Sequence, residues 1–232
     1  MTLTVLFSLC LAAPAAAALP ELPVPHHGPA MQKLSKYMDQ RLAAGKNQAE
    51  LDKIDAAIRK DFEKTLAIMI TDMSGFTELT KKRGILGFLT EIRRLQRLAA
   101  PIIKKNGGEW VKADADDLFV THTSAAAMYA LAKDLLAGVE KSNADNEWKM
   151  GLAIGLGFGP TLMIGDEDTW GDSVNTASKL GEDTAKANEI LVSETFYQRL
   201  SEERKQRNEA MPACERQEAG TRETKFPFYS CR

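Results

Sequence analysis

From residue 65 onward the chain alternates short apolar runs with longer segments of helical period, and this alternation constrains the fold more than any other feature of the sequence. Residues 66–70 (LAIMI) are too short for a helix and suit a central buried strand, and residues 74–77 turn out of it into a helix. Ile85, Phe88, Leu89, Ile92, Leu95 and Leu98 share one helical face across residues 85–103, and Asn106, Gly107 and Gly108 stop that helix. In residues 109–122 two apolar arms, Trp110-Val111 and Leu118-Phe119-Val120, flank an acidic middle, the pattern of a β-hairpin. A helix is expected over residues 125–139, strands over 149–156 and 161–164, a helix over 172–181, a strand over 190–192 and a short helix over 193–200. The stretch KFPFYS, residues 225–230, is expected to return as an edge strand, with Pro227 confining it there. The resulting fold class is α+β, a mixed sheet covered by helices.

The chain of 232 residues, 44% hydrophobic and 27% charged, carries apolar material for one sizeable core. Its 30 basic and 32 acidic residues leave a net charge of -2, which gives no electrostatic pull toward nucleic acid and argues against it as a partner. Residues 1–19 depart from this average. They are uncharged and run from an apolar block into alanines, with Ala16 and Ala18 fitting a small-residue cleavage site, but they lack the basic start of a secretory signal. A membrane tether through the same residues is the lesser reading, because Pro14 and the alanine-rich half make a poor anchor.

Residues 20–30 are a proline-rich linker in which His26 and His27 lack preorganised partners for a metal. Residues 31–64 read as two amphipathic helices with a turn near Gly45 and Asn47, residues 65–200 as the main domain, and residues 201–232 as a tail. Cys214 and Cys231 in that tail are either a disulfide or two free thiols; spacing does not choose.

Three stretches place polar residues at the ends of apolar elements, where side chains converge without disrupting a core. In the first, Ile70-Thr71-Asp72-Met73-Ser74-Gly75-Phe76-Thr77, Asp72 can bind a cation, and the N–H groups of Gly75, Phe76 and Thr77 can hold phosphate oxygens at a helix start. The second, Lys112-Ala113-Asp114-Ala115-Asp116-Asp117, forms the hairpin tip. The third runs from Asp168 through Trp170, Gly171, Asp172 and Asn175 to Lys179, and on a helix Asn175 and Lys179 share a face.

These stretches, in this order, resemble the signature of the class III nucleotidyl cyclases. That family reads F/I-x-D-x-x-G-F-T at the end of a strand, K-x-x-G-D on a hairpin, and D-x-W/F-G-x-x-V-N-x-A-S-R before and along a helix. The likeness covers residues 65–200, about one catalytic domain, and implies a ferredoxin-like, palm-type sheet. It makes Asp72 and Asp116 ligands of two divalent ions, Mg²⁺ or Mn²⁺. Lys112 and Asp168 match the pair that reads adenine, Asn175 the residue that orients the ribose, and Lys179 the position of a phosphate-binding arginine. The implied activity is conversion of ATP to cyclic AMP and pyrophosphate in a homodimer with two shared sites.

Two departures favour a rival reading, a catalytically silent module that binds nucleotide or a protein partner; an active cyclase with another base preference is a second rival. Lys179 lacks arginine's planar fork, and Ala115 stands where the family has glycine. Asp114 and Asp117 read as solvated hairpin residues, Asp172 as a helix cap and Trp170 as packing. Gly107-Gly108-Glu109-Trp110 bears a superficial likeness to the GG(D/E)EF signature of diguanylate cyclases, but Trp110 stands where the second acid belongs. Compartment pulls two ways: the signal-like segment points to export or tethering, whereas ATP use favours a catalytic domain facing the cytoplasm.

Overall fold

The computed structural model describes residues 28–219 and 226–231. The signal-like residues 1–19 and the histidines of the linker lie outside the described residues. Among those described, no helix is long and apolar enough to cross a membrane.

Two compact units meet at the Ala57–Ile58 bond. The first contains helix α1 (Pro29–Ala44) and most of α2 (Gln48–Phe62). Pro29 sits in the first turn of α1, where its missing N–H costs nothing, and Gly45 ends the helix at φ 56°. The Arg41 guanidinium clasps both carboxylate oxygens of Asp55 and so ties α1 to α2. Of the apolar stripe read from the sequence, Met31 and Leu34 are buried, whereas Met38 and Leu42 are exposed.

The second unit is built on an eight-stranded sheet, ordered β2-β3-β1-β4-β6-β8-β7, with β5 pairing to β4. Its strands are β1 (Glu63–Ser74), β2 (Glu109–Asp114), β3 (Asp117–His122), β4 (Gly151–Ile164), β5 (Asp168–Trp170), β6 (Ile190–Ser193), β7 (Cys214–Ala219) and β8 (Phe226–Cys231). Among the described residues only the β4–β6 pair is parallel. The helices are α3 (Phe76–Lys105), α4 (Ala125–Ala144), α5 (Asp172–Ser178) and α6 (Glu194–Gln206). This is the mixed α+β architecture expected from the sequence.

Period-two alternation along β1 sorts its side chains between two layers. Ala67, Met69 and Met73 join Leu95 and Ala99 of α3, Met128, Leu131 and Leu135 of α4, and Phe196 and Leu200 of α6 in the larger core. Leu66, Ile68 and Ile70 face the other way, onto Val174 and Ala177 of α5. That second face carries one short helix followed by a π-helical turn, Lys179–Thr184. Glu203 of α6 reaches across to the start of α4, where its carboxylate accepts from Ala125 N–H at 3.2 Å, Ala126 N–H at 3.0 Å and the Ser124 hydroxyl.

Several sequence expectations need correction. The helix expected to open at residues 74–77 begins at Phe76, and the one expected over 85–103 follows Gly84, whose φ of 70° and ψ of 178° are non-helical, so the two make up α3 across a kink. The two strands expected over 149–156 and 161–164 are one continuous strand, β4, paired with β1 from Glu63↔Leu162 to Ser74↔Gly151. The glycines along β4 serve close packing. A Cβ on Gly155 would run into the carbonyl oxygen of Ala177, and one on Gly157 into that of Ser173, so α5 lies directly on the β4 backbone.

The tail strand β8 is not the edge. It lies between β6 and β7, and the true edge, β7, had no apolar pattern to reveal it. Pro227 is tolerated because β6 stops pairing at Ser193↔Phe228, which leaves β8 a neighbour on one side only at that point. Cys214 and Cys231 face each other across β7 and β8 and are joined as a disulfide.

Candidate active site

Asp72 stands where the buried run of β1 ends, on the face covered by α5. Beside it, Thr71 accepts a hydrogen bond through its hydroxyl from Leu118 N–H at 3.2 Å, which pins the end of β3 against β1. The β1–β3 ladder pairs Ile70 with Phe119 and Thr71 with Leu118. The paired register ends there; Asp72 and Asp117 are the next residues on the two strands, and their carboxylates come together at that end of the sheet. The hairpin turns through Ala115 and Asp116, with Ala115 at φ 50°, the left-handed conformation that a glycine would adopt more freely. Asp72, Asp116 and Asp117 thereby offer carboxylate oxygens that all lie within 4.8 Å of one another. The expectation that Asp117 points away into solvent is corrected, because the two-residue turn breaks the alternation on which it relied.

Burial pushes the Asp117 carboxyl up to about 7, with Glu182, Asp116, Asp72 and Asp114 adding negative charge around it. Burial also raises Asp72, followed by Asp116 and Glu182, while the Met73 N–H works in the opposite direction. Asp116 is raised by burial against two backbone hydrogen bonds. Glu182 comes from the π-helical turn and was missed in the sequence; only the folded path brings it near β1. Crowded carboxylates of this kind are a donor set for a hard divalent cation. Asp72 and Asp116 border a cleft of about 650 Å³ shared with Ser74, Gly75, Glu78 and Ala115. Gly75 opens α3 at φ 99°, and the first N–H groups of a helix have no carbonyl partner within it. For Phe76 and Thr77 only the backbone is described.

Lys112 and Asp168 come from different strands, β2 and β5, yet Lys112 Nζ lies 3.0 Å from Asp168 Oδ1. A register shift between Trp110 and Lys112 bends β2 there, and the Trp110 indole donates to the Lys112 carbonyl at 2.9 Å. The lysine ammonium also stands 4.6 Å from the centre of the Phe119 ring. Asp168 accepts from its neighbour Thr169 N–H at 2.8 Å and, through Oδ2, from the Trp170 indole at 2.9 Å. Trp170 is therefore not the packing residue read from the sequence; it is 45% exposed and orients a carboxylate.

Asn175 and Lys179 lie one turn apart, since Lys179 N–H donates to the Asn175 carbonyl, and both side chains are exposed. Gly171 occupies the cap position of α5, so Asp172 is its first residue rather than its cap. The fold thus gathers Asp72 with Asp116, and Lys112 with Asp168. Lys179 has no ion-pair partner among the described residues.

Residues 58–220 match the family described as the adenylate and guanylate cyclase catalytic domain. Adenylate cyclases of Mycobacterium tuberculosis and Mycobacterium bovis are 28% identical over 152 residues, 59% of this chain. The matched segment spans 34% of the length of those relatives. The catalytic core of a rhodopsin–guanylyl cyclase with converted specificity, in complex with ATPαS, superposes with a TM-score of 0.63 at 20% identity, covering 73% of this chain and 97% of that one. The adenylyl cyclase CyaB from P. aeruginosa gives a TM-score of 0.59 at 20% identity, covering 73% and 94%.

Proposed function

Given that the chain belongs to the adenylate and guanylate cyclase catalytic-domain family, we propose that it converts ATP to 3′,5′-cyclic AMP and pyrophosphate. The observation that carries the choice of ATP is the Lys112–Asp168 pair, held 3.0 Å apart. A fixed ammonium supplies a donor for a ring nitrogen of adenine, and the carboxylate beside it accepts from the exocyclic amino group. Guanine presents a carbonyl where adenine has that amino group, and a carboxylate repels it.

Asp72 and Asp116 would hold the divalent ions on which the family relies. Bound there, such ions lower the pKa of the ribose 3′-hydroxyl and offset charge on the triphosphate. The N–H groups at the start of α3 receive phosphate oxygens, Asn175 orients the ribose, and Lys179 places its positive charge on the phosphates. The 3′-oxygen attacks the α-phosphorus as the bond to pyrophosphate breaks. All these residues occur in one chain, which supports a homodimer whose two equivalent sites each draw residues from both copies.

Incubating the protein with each of ATP, GTP, CTP and UTP plus Mn²⁺ tests the reading. Cyclic AMP and pyrophosphate are expected from ATP, and none from Asp72→Ala or Asp116→Ala. Cyclic GMP as the main product would overturn the base assignment.

The exposed Lys179, standing where the family has arginine, favours a second reading, a module that binds ATP without turning it over. Tight ATP binding with no product under those conditions would establish it.

A further inference from the structure

Asp117 is not one of the two aspartates that the cyclase signature assigns to metal, yet the fold treats it as their equal. Its carboxylate belongs to the same group, within 4.8 Å of those of Asp72 and Asp116. Its Oδ1 is buried and accepts no hydrogen bond. A buried carboxylate oxygen without a donor loses its hydration and gains nothing in exchange. No described basic residue forms an ion pair with it, and Lys112 of the same hairpin is committed to Asp168. Like charges gathered this closely where β1 and the β2–β3 hairpin end also repel one another. A cation would supply the partner that Oδ1 lacks and remove the repulsion between β1 and β3.

We propose that Asp117 is a third carboxylate ligand at the divalent-cation site, so that Asp72, Asp116 and Asp117 together hold the ion. The inference rests on the cyclase reading of Asp72 and Asp116 and adds to it. A third anionic oxygen ligand strengthens binding of a hard cation and takes a place that water would otherwise fill. The hairpin then contributes two consecutive ligands, one from the turn and one from the first position of β3, and the metal clasps the end of β3 to the end of β1.

The test is Mn²⁺ binding to the full chain without nucleotide, read by electron paramagnetic resonance of the free ion and by the shift in thermal midpoint. Asp117→Asn is expected to weaken Mn²⁺ binding about tenfold or more and to shrink the metal-induced thermal shift, the scale on which disturbed metal sites respond. Asp117→Glu, which keeps the charge, should recover most of the affinity. Asp114→Asn, on the exposed side of the same hairpin, should stay within about twofold of the parent, since its carboxylate lies outside the cluster. Circular dichroism without metal checks folding, and Asp117→Ser replaces Asp117→Asn if the latter is not native.

If the parent chain binds Mn²⁺ and Asp72→Ala abolishes binding while the Asp117 variants bind as the parent does, the third-ligand inference falls and the cyclase site stands. If the parent chain itself does not bind Mn²⁺, the reading of Asp72 and Asp116 falls with it.

Discussion

Lys112 and Asp168 are 56 residues apart in sequence and 3.0 Å apart in the fold, joined by the bend in β2 and the pairing of β5 with β4. The carboxylate is held on both oxygens, by Thr169 N–H and by the Trp170 indole, so its direction is set before any ligand arrives. Preset polar groups discriminate well, because the wrong base leaves them unpaired. Lys112→Glu should therefore lower kcat/KM for ATP by about 10- to 100-fold, in line with the loss of a charged hydrogen bond. Activity with GTP should fall less. Steady-state kinetics with both nucleotides check this, and an equal loss for the two would count against base reading by this pair.

Lysine at position 179 keeps a positive charge but offers no fork for two phosphate oxygens. Lys179→Arg is expected to raise kcat several-fold with little change in KM, on the order of 1 kcal/mol in the transition state. A variant no faster than the parent would argue that this position does not reach the phosphates.

The seat of α5 on β4 makes a stability prediction. Gly155→Ala forces a methyl group into the Ala177 carbonyl and should destabilise the fold by about 3 kcal/mol, the upper range for overpacking. Gly159→Ala meets only the Ser173 side chain, at 3.5 Å, and should change stability by less than about 0.5 kcal/mol. Urea denaturation of the two variants separates these outcomes.

Glu203 ties α6 to the start of α4 and carries a pH dependence. Its burial alone would raise the carboxyl, but hydrogen bonds from Ser124, Ala126, Ala125 and Arg199 outweigh that and hold it below its ordinary 4.5. The unfolded chain then binds the proton more readily than the folded one. The stability Glu203 gives is present in full above about pH 4.5 and is lost as the pH falls through the lower folded value. Glu203→Gln should cost about 1–3 kcal/mol at pH 7 and less at pH 3, measured as the change in thermal midpoint across that range. A cost independent of pH would mean that the charge is not what stabilises the α4 start.

The core strands were legible because their apolar runs are short and bounded. Residues 66–70 and 190–192 became strands buried on both faces, which demands such runs, and the arms of the hairpin became the partly buried β2 and β3. The polar ends of those runs were equally visible and drew attention to Asp72 and Asp116, whereas Lys112 and Asp168 were singled out by the resemblance; the fold brings the members of each pair together. Strand β7, Cys-Glu-Arg-Gln-Glu-Ala, was not legible, because an edge strand facing solvent needs no apolar alternation. The continuity of β4 was not legible either, although its glycines are what admit α5 against the strand. Asp117 and Glu182 were hidden because their place beside Asp72 depends on strand register and on a π-helical turn, and neither is a local property of sequence.

The covalent link between Cys214 and Cys231 encloses β7 and β8 in a single ring. Hydrolysis of any one peptide bond inside that ring yields two polypeptides that still travel as one molecule. Such a nick would be invisible by mass under non-reducing conditions apart from the added water, and where it precedes Phe226 a thiol reagent would then release the fragment that carries β8 from between its two neighbouring strands.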